Sequence, residues 1–148
     1  MSKVLIVIGS KSDMEYADIC AGQLAVFNIE NKIEVSSAHR HPQQTADLTS
    51  RAAEDGYEVI IAMAGLSAAL PGAAAAHSNL PVIGVPLPAA LEGLDSLLSV
   101  TQMPPGIPVA AVGIGKPGAK NAAILAARIL ALKHADIAAG VKSHRDSL

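Results

Sequence analysis

The sequence predicts a three-layer, doubly wound α/β fold in which five parallel strands form a flavodoxin-like sheet. Short apolar segments rich in β-branched residues alternate with helix-forming segments along all 148 residues, which is the pattern of repeated βα units. The strand segments are apolar almost throughout, as expected for a sheet covered by helices on both faces. No linker, repeat or low-complexity segment divides the chain, so we expect residues 1–148 to form a single domain.

The predicted strands are short and end at glycine, proline or polar residues, which mark the change from strand to loop. In chain order they are Lys3–Gly9, Lys32–Ser37, Glu58–Ala64, Pro81–Pro86 and Pro108–Ile114.

The predicted helices follow these strands. They are Asp13–Phe27, Pro42–Asp55, Ala68–His77, Gly93–Gln102 and Gly118–Ala135. Ser12 precedes Glu15 by three residues, the spacing of a capping box at the start of the first helix. For residues 136–148 we expect a further helical turn or two, with a frayed polar end over residues 139–148.

The composition excludes several classes of function. The formal net charge of -2, the scattered basic residues and an aromatic content of 2% provide no nucleic-acid-binding surface. A single cysteine, Cys20, excludes an internal disulfide and a multi-cysteine metal site, and it fits a reducing compartment. Glycine, proline and polar residues interrupt the apolar region 59–85. We therefore expect a soluble cytoplasmic protein that binds neither nucleic acid nor membrane.

The same composition predicts self-association. Hydrophobic residues make up 51% of the chain, and alanine is the main contributor. A domain this short and this apolar has more apolar surface than one core can bury, and contact between identical subunits buries the remainder. We expect a homo-oligomer.

The first candidate site lies at residues 9–13, directly after the first strand, and reads Gly-Ser-Lys-Ser-Asp. A glycine turn followed by hydroxyls and a helix N-terminus can bind an anion through backbone N–H groups. The spacing matches neither a Walker loop nor the dinucleotide motif GxGxxG. The carboxylate of Asp13 suits the two hydroxyls of a ribose. Ser12 or Asp13 can alternatively cap the helix, and the two roles are compatible.

The second candidate site is Ser37-Ala38-His39-Arg40, where the second strand ends. Ligands of open α/β sheets bind outside the carboxyl ends of the strands. The imidazole of His39 can exchange a proton near neutral pH, and the guanidinium of Arg40 can bind a phosphate or carboxylate through two parallel hydrogen bonds. The pair predicts a small anionic substrate and a proton transfer. A surface histidine without a catalytic role is the alternative, and His41 is interpreted as peripheral.

Two further segments carry weaker signals. The small residues of segment 64–72 allow backbone amides to approach a flat ligand, although a close-packed turn would need the same residues. Segment 95–106 has hydroxyls and an amide but no strong base, and we expect it at most to close over a pocket. His77, His134 and His144 do not have the spacing of metal ligands, so we expect no metal site.

Together these segments resemble the PurE family, the N5-carboxyaminoimidazole ribonucleotide mutases of de novo purine (IMP) biosynthesis. The matching motifs are residues 9–13, 37–40, 70–72 with 81–86, 95–104 and 118–123, so the resemblance covers nearly the whole chain. It implies a doubly wound subunit in a homo-octamer, with active sites at subunit junctions. It also implies a ribonucleotide substrate and neither a metal nor an organic cofactor.

The resemblance further implies a reaction. A carboxylate moves from the exocyclic nitrogen of an aminoimidazole to ring carbon C4, through carbon dioxide held in a dry pocket, to give 4-carboxy-5-aminoimidazole ribonucleotide. His39 would be the catalytic proton shuttle at C4. The residues implied in substrate binding are Ser10, Ser12, Asp13, Ser37, Arg40, Gly65, Ser67 and Leu70. Among them, Ser10 and Asp13 would hold the ribose 5-phosphate, with Ser12 beside them, and Arg40 would also contact the phosphate.

One departure from the family pattern changes the expectation. The mutases usually read Gly-Gly-Ala-Ala-His-Leu-Pro-Gly where residues 65–72 of this chain read Gly-Leu-Ser-Ala-Ala-Leu-Pro-Gly. Ala69 therefore stands where the mutases usually have a second active-site histidine. It can neither carry charge nor donate a side-chain hydrogen bond, and Leu66 would narrow the base site.

Two alternatives to the mutase function remain. One is a carbon dioxide-dependent aminoimidazole ribonucleotide carboxylase, whose Ala-Gly-Arg-Ser motif residues 64–67 partly match. The other is a PurE-like nucleotide-binding protein with weakened catalysis.

Overall fold

The computed structural model describes residues 3–148 and confirms the predicted α/β architecture. One sheet contains the strands β1 (Lys3–Ile8), β2 (Glu30–Val35), β3 (Tyr57–Ala64), β4 (Val82–Pro86) and β5 (Ala110–Ala111). All neighbouring strands are parallel, in the order β2-β1-β3-β4-β5. This is the flavodoxin-like order, and its ligand-binding crevice lies outside the carboxyl ends of β1 and β3, where the strand order reverses.

Helices cover both faces of the sheet. A 3₁₀ turn at Lys11–Asp13 precedes α1 (Met14–Val26), and the other helices are α2 (Pro42–Ser50), α3 (Ala69–His77), α4 (Leu94–Thr101), α5 (Gly115–Leu130) and α6 (Ala135–Asp146). Helices α1 and α5 pack together on one face with α6 beside α5, whereas α2, α3 and α4 pack on the other. No helix in residues 3–148 is long and apolar enough to cross a membrane.

The apolar run of β1 explains why the sheet is covered on both sides. Val4, Ile6 and Ile8 belong to the core beneath α1 and α5, whereas Leu5 and Val7 belong to the core on the opposite face. All five side chains are fully buried. Since alternate residues of a strand point to opposite faces, only an unbroken apolar run can fill two cores at once.

The structure corrects the bounds of one predicted strand and one predicted helix. The last strand is only Ala110–Ala111 instead of Pro108–Ile114, because it is an edge strand that pairs with β4 alone, and a proline and a glycine flank the paired residues. The second helix ends at Ser50 and not at Asp55, since the chain turns there toward β3.

The C-terminal region also differs from the prediction. The fifth helix spans Gly115–Leu130 instead of Gly118–Ala135, and a short turn separates it from α6. The expected helical turn or two is too short, because α6 continues to Asp146. Ile137 explains the difference, since it is buried in the core beneath α1 and α5 and docks the helix there.

Candidate active site

A cleft of about 490 Å³ opens at the carboxyl end of the sheet, where β1, β2 and β3 end. Its walls come from the three loops that follow those strands. All the site residues predicted from the sequence line it: His39, Ser10, Ser12, Asp13, Ser37, Arg40, Gly65, Ser67 and Leu70. Motifs that are separate in the chain therefore meet in one cleft at the reversal point of the sheet.

The loop after β1 is shaped by its own hydroxyls. The Oγ atom of Ser10 accepts hydrogen bonds from the backbone N–H of Ser12 at 3.3 Å and from the Ser12 hydroxyl at 3.0 Å. Ser10 thus caps the 3₁₀ turn. The predicted capping box is wrong, because this turn delays the start of α1, and the Asp13 side chain at its N-cap position makes no capping hydrogen bond.

Asp13 therefore has a carboxylate that is available at the cleft. Burial raises the pKa of Asp13, and a hydrogen bond donated by the Ser10 backbone partly offsets that rise. A carboxylate that has lost water and does not cap a helix is stabilised by any donor that enters the cleft. Two adjacent hydroxyls of a sugar would supply such donors.

The turn after β2 is held by buried hydroxyls. Ser36 is buried, and its Oγ atom lies 2.7 Å from Oγ1 of Thr45 in α2, at hydrogen-bonding distance. Ser37 Oγ accepts a hydrogen bond from the backbone N–H of Arg40 at 3.2 Å. These contacts fix the turn from which the exposed side chains of His39 and Arg40 enter the cleft.

Ser36 and Thr45 position the site, although the sequence analysis did not identify them. Their signal in the sequence is weak, because a hydroxyl pair nine residues apart has no characteristic pattern. Only the docking of α2 against the end of β2 brings the two together.

Arg40 takes part in none of the ion pairs found in the described part of the chain. Within residues 3–148 those pairs are Lys32–Glu34, Arg51–Asp55, Lys116–Glu15, Lys133–Glu58 and His134–Glu58. The guanidinium is therefore free to bind an anionic ligand beside the imidazole of His39. This arrangement suits proton transfer on an anionic substrate.

The loop after β3 forms the third wall. A Cβ atom at Gly65 would lie 3.4 Å from the carbonyl oxygen of Leu87 and 3.5 Å from Cβ of Ala89, so the backbone packs closely here. Ser67 is exposed at the cleft, whereas Leu70 is buried and forms part of its floor. Ala69 begins α3 and lines the cleft with a methyl group.

A second cleft, of about 520 Å³, lies between the end of α3 and the loop before β5. Among the described residues that line it, His77 is the only titratable one, and its Nδ1 atom donates a hydrogen bond to the Ala73 carbonyl at 2.9 Å. His77 therefore lies outside the cleft that Ala69 lines. The volume of this cleft is similar, but it lacks the carboxylate and guanidinium of the first.

Known proteins share both the sequence and the fold. Residues 3–148 match the AIR carboxylase family. The N5-carboxyaminoimidazole ribonucleotide mutase of Pyrococcus abyssi is 50% identical over 100% of this chain and 84% of its own length. The mutase of Saccharolobus solfataricus is 48% identical over 100% of this chain and 93% of its own length. The crystal structure of Treponema denticola PurE matches with a TM-score of 0.90 at 36% identity, covering 99% of this chain and 91% of that one. This chain belongs to the AIR carboxylase family.

Proposed function

We propose that this protein is an N5-carboxyaminoimidazole ribonucleotide mutase, an isomerase of purine biosynthesis that moves a carboxylate from N5 to C4. The observation that carries the proposal is the single cleft in which the Ser10–Asp13 loop faces the turn bearing His39 and Arg40. Relatives that share about half of their residues with this chain and carry this name support it.

The cleft suits a ribonucleotide. Its volume of about 490 Å³ falls within the range of about 300–1,000 Å³ that is typical of small-molecule sites. Arg40 and the hydroxyl of Ser10 bind the phosphate, with Ser12 beside them, and Asp13 accepts hydrogen bonds from the ribose hydroxyls. The base then extends toward the loop after β3, where Gly65 and Ser67 line the cleft.

The proposed reaction exchanges one bond for another. The bond between the exocyclic nitrogen and the carboxyl carbon breaks, and carbon dioxide leaves. Ring carbon C4 then attacks the carbon dioxide, and His39 removes the proton from C4 to restore the aromatic ring. The proton passes to the exocyclic nitrogen, so the reaction needs no net acid or base. Holding carbon dioxide beside C4 can contribute about 7–11 kcal/mol, and a placed acid/base about 10²–10⁴-fold in rate.

The proposal is tested by turnover with two substrates. We expect the chain to consume the N5-carboxy compound without added bicarbonate. Consumption of aminoimidazole ribonucleotide with bicarbonate alone would identify a carboxylase instead. Tight ribonucleotide binding without turnover in either direction would identify a binding protein.

The same assay measures the consequence of Ala69. If the imidazole missing there limits the chemistry, Ala69→His should raise kcat by about 10²-fold or more, the lower end of the range of acid/base effects. The matched control is Ala76→His, which adds a histidine at an exposed position of the same helix but outside the active-site cleft. Equal kcat in both variants and the unaltered chain would exclude that limitation.

We further propose that the subunit forms a homo-octamer in the cytoplasm. Leu91, Leu94 and Leu98 lie close together in the chain around the start of α4, and each is at least half exposed. Such an apolar patch is typical of a subunit contact. Cys20 is buried as a free thiol, which fits a reducing compartment, and burial raises its pKa to about 12. Light scattering after size-exclusion chromatography would measure the mass of the assembly.

A further inference from the structure

Leu66 combines two unfavourable features at the active-site cleft. Its φ angle is +55°, in the left-handed region that favours glycine. Its side chain is also 55% exposed although it is large and apolar. The non-glycine residues with positive φ in residues 3–148 are Asn28, Leu66, Leu91 and Glu92, and of these only Leu66 lines the cleft. Backbone strain of this kind is concentrated at functional sites, so Leu66 is a candidate for a role in the cleft.

The surroundings of Leu66 indicate what that role is. The wall that follows β3 is otherwise built from small residues, namely Ala64, Gly65, Ser67, Ala68 and Ala69. Leu70 is buried beneath them. The side chain of Leu66 is therefore the only large apolar group exposed to the cleft among the described lining residues, and it lies on the loop after β3, separate from the loops proposed to bind phosphate and ribose.

Phosphate and ribose contacts cannot by themselves select a nucleotide with a small base. A purine nucleotide carries the same ribose 5-phosphate as an aminoimidazole ribonucleotide, and Asp13 and Arg40 would bind both. Discrimination must come from the space available to the base. On the wall that receives the base, Leu66 is the side chain large enough to limit that space.

We infer that Leu66 determines the specificity of the site by limiting the size of the base. Its side chain leaves room for one five-membered ring and excludes the fused two-ring base of a purine nucleotide. This inference rests on the proposed function, because it takes the bound ligand to be an aminoimidazole ribonucleotide.

The experiment compares the binding of two nucleotides that differ in the base. Calorimetry measures Kd for aminoimidazole ribonucleotide and for inosine monophosphate, with the unaltered chain, Leu66→Gly and Leu66→Ala. Both variants remove the wall, and only the glycine variant also relieves the backbone strain. We expect affinity for inosine monophosphate, relative to aminoimidazole ribonucleotide, to rise by at least about 10-fold in both variants, since even one methylene in a pocket changes selectivity by about 10–200-fold.

Asn28→Gly is the matched control. Asn28 also has a positive φ, of +54°, it is exposed, and it belongs neither to the cleft nor to the proposed subunit contact. This variant should change the ratio of the two affinities by much less than about 10-fold, which is the lower limit of the effect of one methylene in a pocket. Glycine adopts positive φ without steric cost, so neither glycine variant should lower Tm through its backbone.

The outcomes separate this inference from the proposed function. An unchanged affinity ratio in both Leu66 variants, with tight aminoimidazole ribonucleotide binding by the unaltered chain, would overturn the inference alone. An equal rise in Asn28→Gly would also overturn it, because the effect would then be general. If the unaltered chain bound neither nucleotide, the proposed function would fail together with the inference.

Discussion

Charged side chains at the two ends of the sheet are arranged in opposite ways. At its amino end, Glu58 accepts hydrogen bonds from Nε2 of His134 at 3.0 Å and from Nζ of Lys133 at 3.1 Å. At its carboxyl end, His39 and Arg40 are exposed at the cleft and take part in none of the ion pairs found within residues 3–148. The amino end uses its charges to hold α5 and α6 against the sheet, whereas the carboxyl end keeps them available for a ligand.

The comparison predicts that substitutions at the two ends have different consequences. Removing an unpaired group from the cleft should reduce activity and leave the free energy of unfolding almost unchanged. Removing a member of the Glu58 cluster should do the reverse, because its charges already have partners inside the protein.

The largest expected effect is that of His39→Asn. Asparagine is polar and of similar size, but it cannot transfer a proton near neutral pH. We expect kcat to fall by about 10²–10⁴-fold, which is the usual contribution of an acid/base group. Substrate Kd and Tm should stay close to those of the unaltered chain. Steady-state kinetics, calorimetry and thermal unfolding measure the three quantities.

His41→Asn is the matched control for that substitution. His41 is exposed only two residues further along the chain, at the start of α2, and it does not line the cleft. Its replacement should leave kcat unchanged. Turnover retained by His39→Asn, or lost equally in both variants, would remove His39 from the mechanism.

The cleft could be predicted from the sequence because its parts are local. Each wall begins at or just after the end of a strand, at Gly9, Ser37 and Gly65. The strands β1 and β3 are apolar almost throughout, whereas polar and apolar residues are mixed in β2. Since the carboxyl ends of parallel strands meet at one edge, recognising the strands was enough to bring these loops together. The site therefore depends on short-range signals and on one rule of topology.

The features that the sequence did not predict depend on distant neighbours. His134 meets Glu58 across 76 positions of the chain, and no local pattern encodes such a contact. The length of α6 depends on the burial of Ile137, and the shortness of β5 depends on its place at the edge of the sheet. Tertiary packing decides each of these, and it overrides local propensity.

A smaller effect on activity is expected for Asp13→Asn. Because a ribose contact acts on ground-state binding, KM should rise, by roughly 10-fold for a hydrogen bond to a charged group, with less change in kcat. Asp18→Asn is the control, since Asp18 is exposed on α1 and lies outside the cleft. An unchanged KM in Asp13→Asn would contradict the ribose contact.

The same variant has an expected effect on stability. Burial raises the pKa of Asp13, so its charge disfavours the folded state at pH values above the folded pKa. This cost disappears at pH values below the pKa that Asp13 has in the unfolded chain, where the carboxyl group is protonated in both states. Asp13→Asn should therefore have an equal or slightly higher Tm at neutral pH, and the difference should disappear in acid. A clearly lower Tm at neutral pH would show that Asp13 contributes to stability as well as to binding.

The smallest expected effect is that of Glu58→Gln, at the amino end of β3. Burial raises the pKa of Glu58, but the hydrogen bonds donated by His134 and Lys133 outweigh this and lower the pKa overall. Because the pKa of Glu58 is lower in the folded protein than in the unfolded chain, its carboxylate stabilises the fold at pH values above the pKa of the unfolded chain. This contribution is lost as the pH falls through the pKa that Glu58 has in the folded protein. Glu58→Gln should therefore cost about 1 kcal/mol at neutral pH, the upper range for partly exposed pairs, and nothing in strong acid.

Denaturant unfolding across the pH range measures this difference, and kcat should not change because Glu58 lies at the end of β3 opposite the cleft. The exposed Glu54, which takes part in none of the ion pairs found within residues 3–148, is the control, and Glu54→Gln should match the unaltered chain at every pH. A loss of activity in Glu58→Gln without a loss of stability would contradict the division between the two ends of the sheet. It would place a catalytic requirement among charges that already have partners.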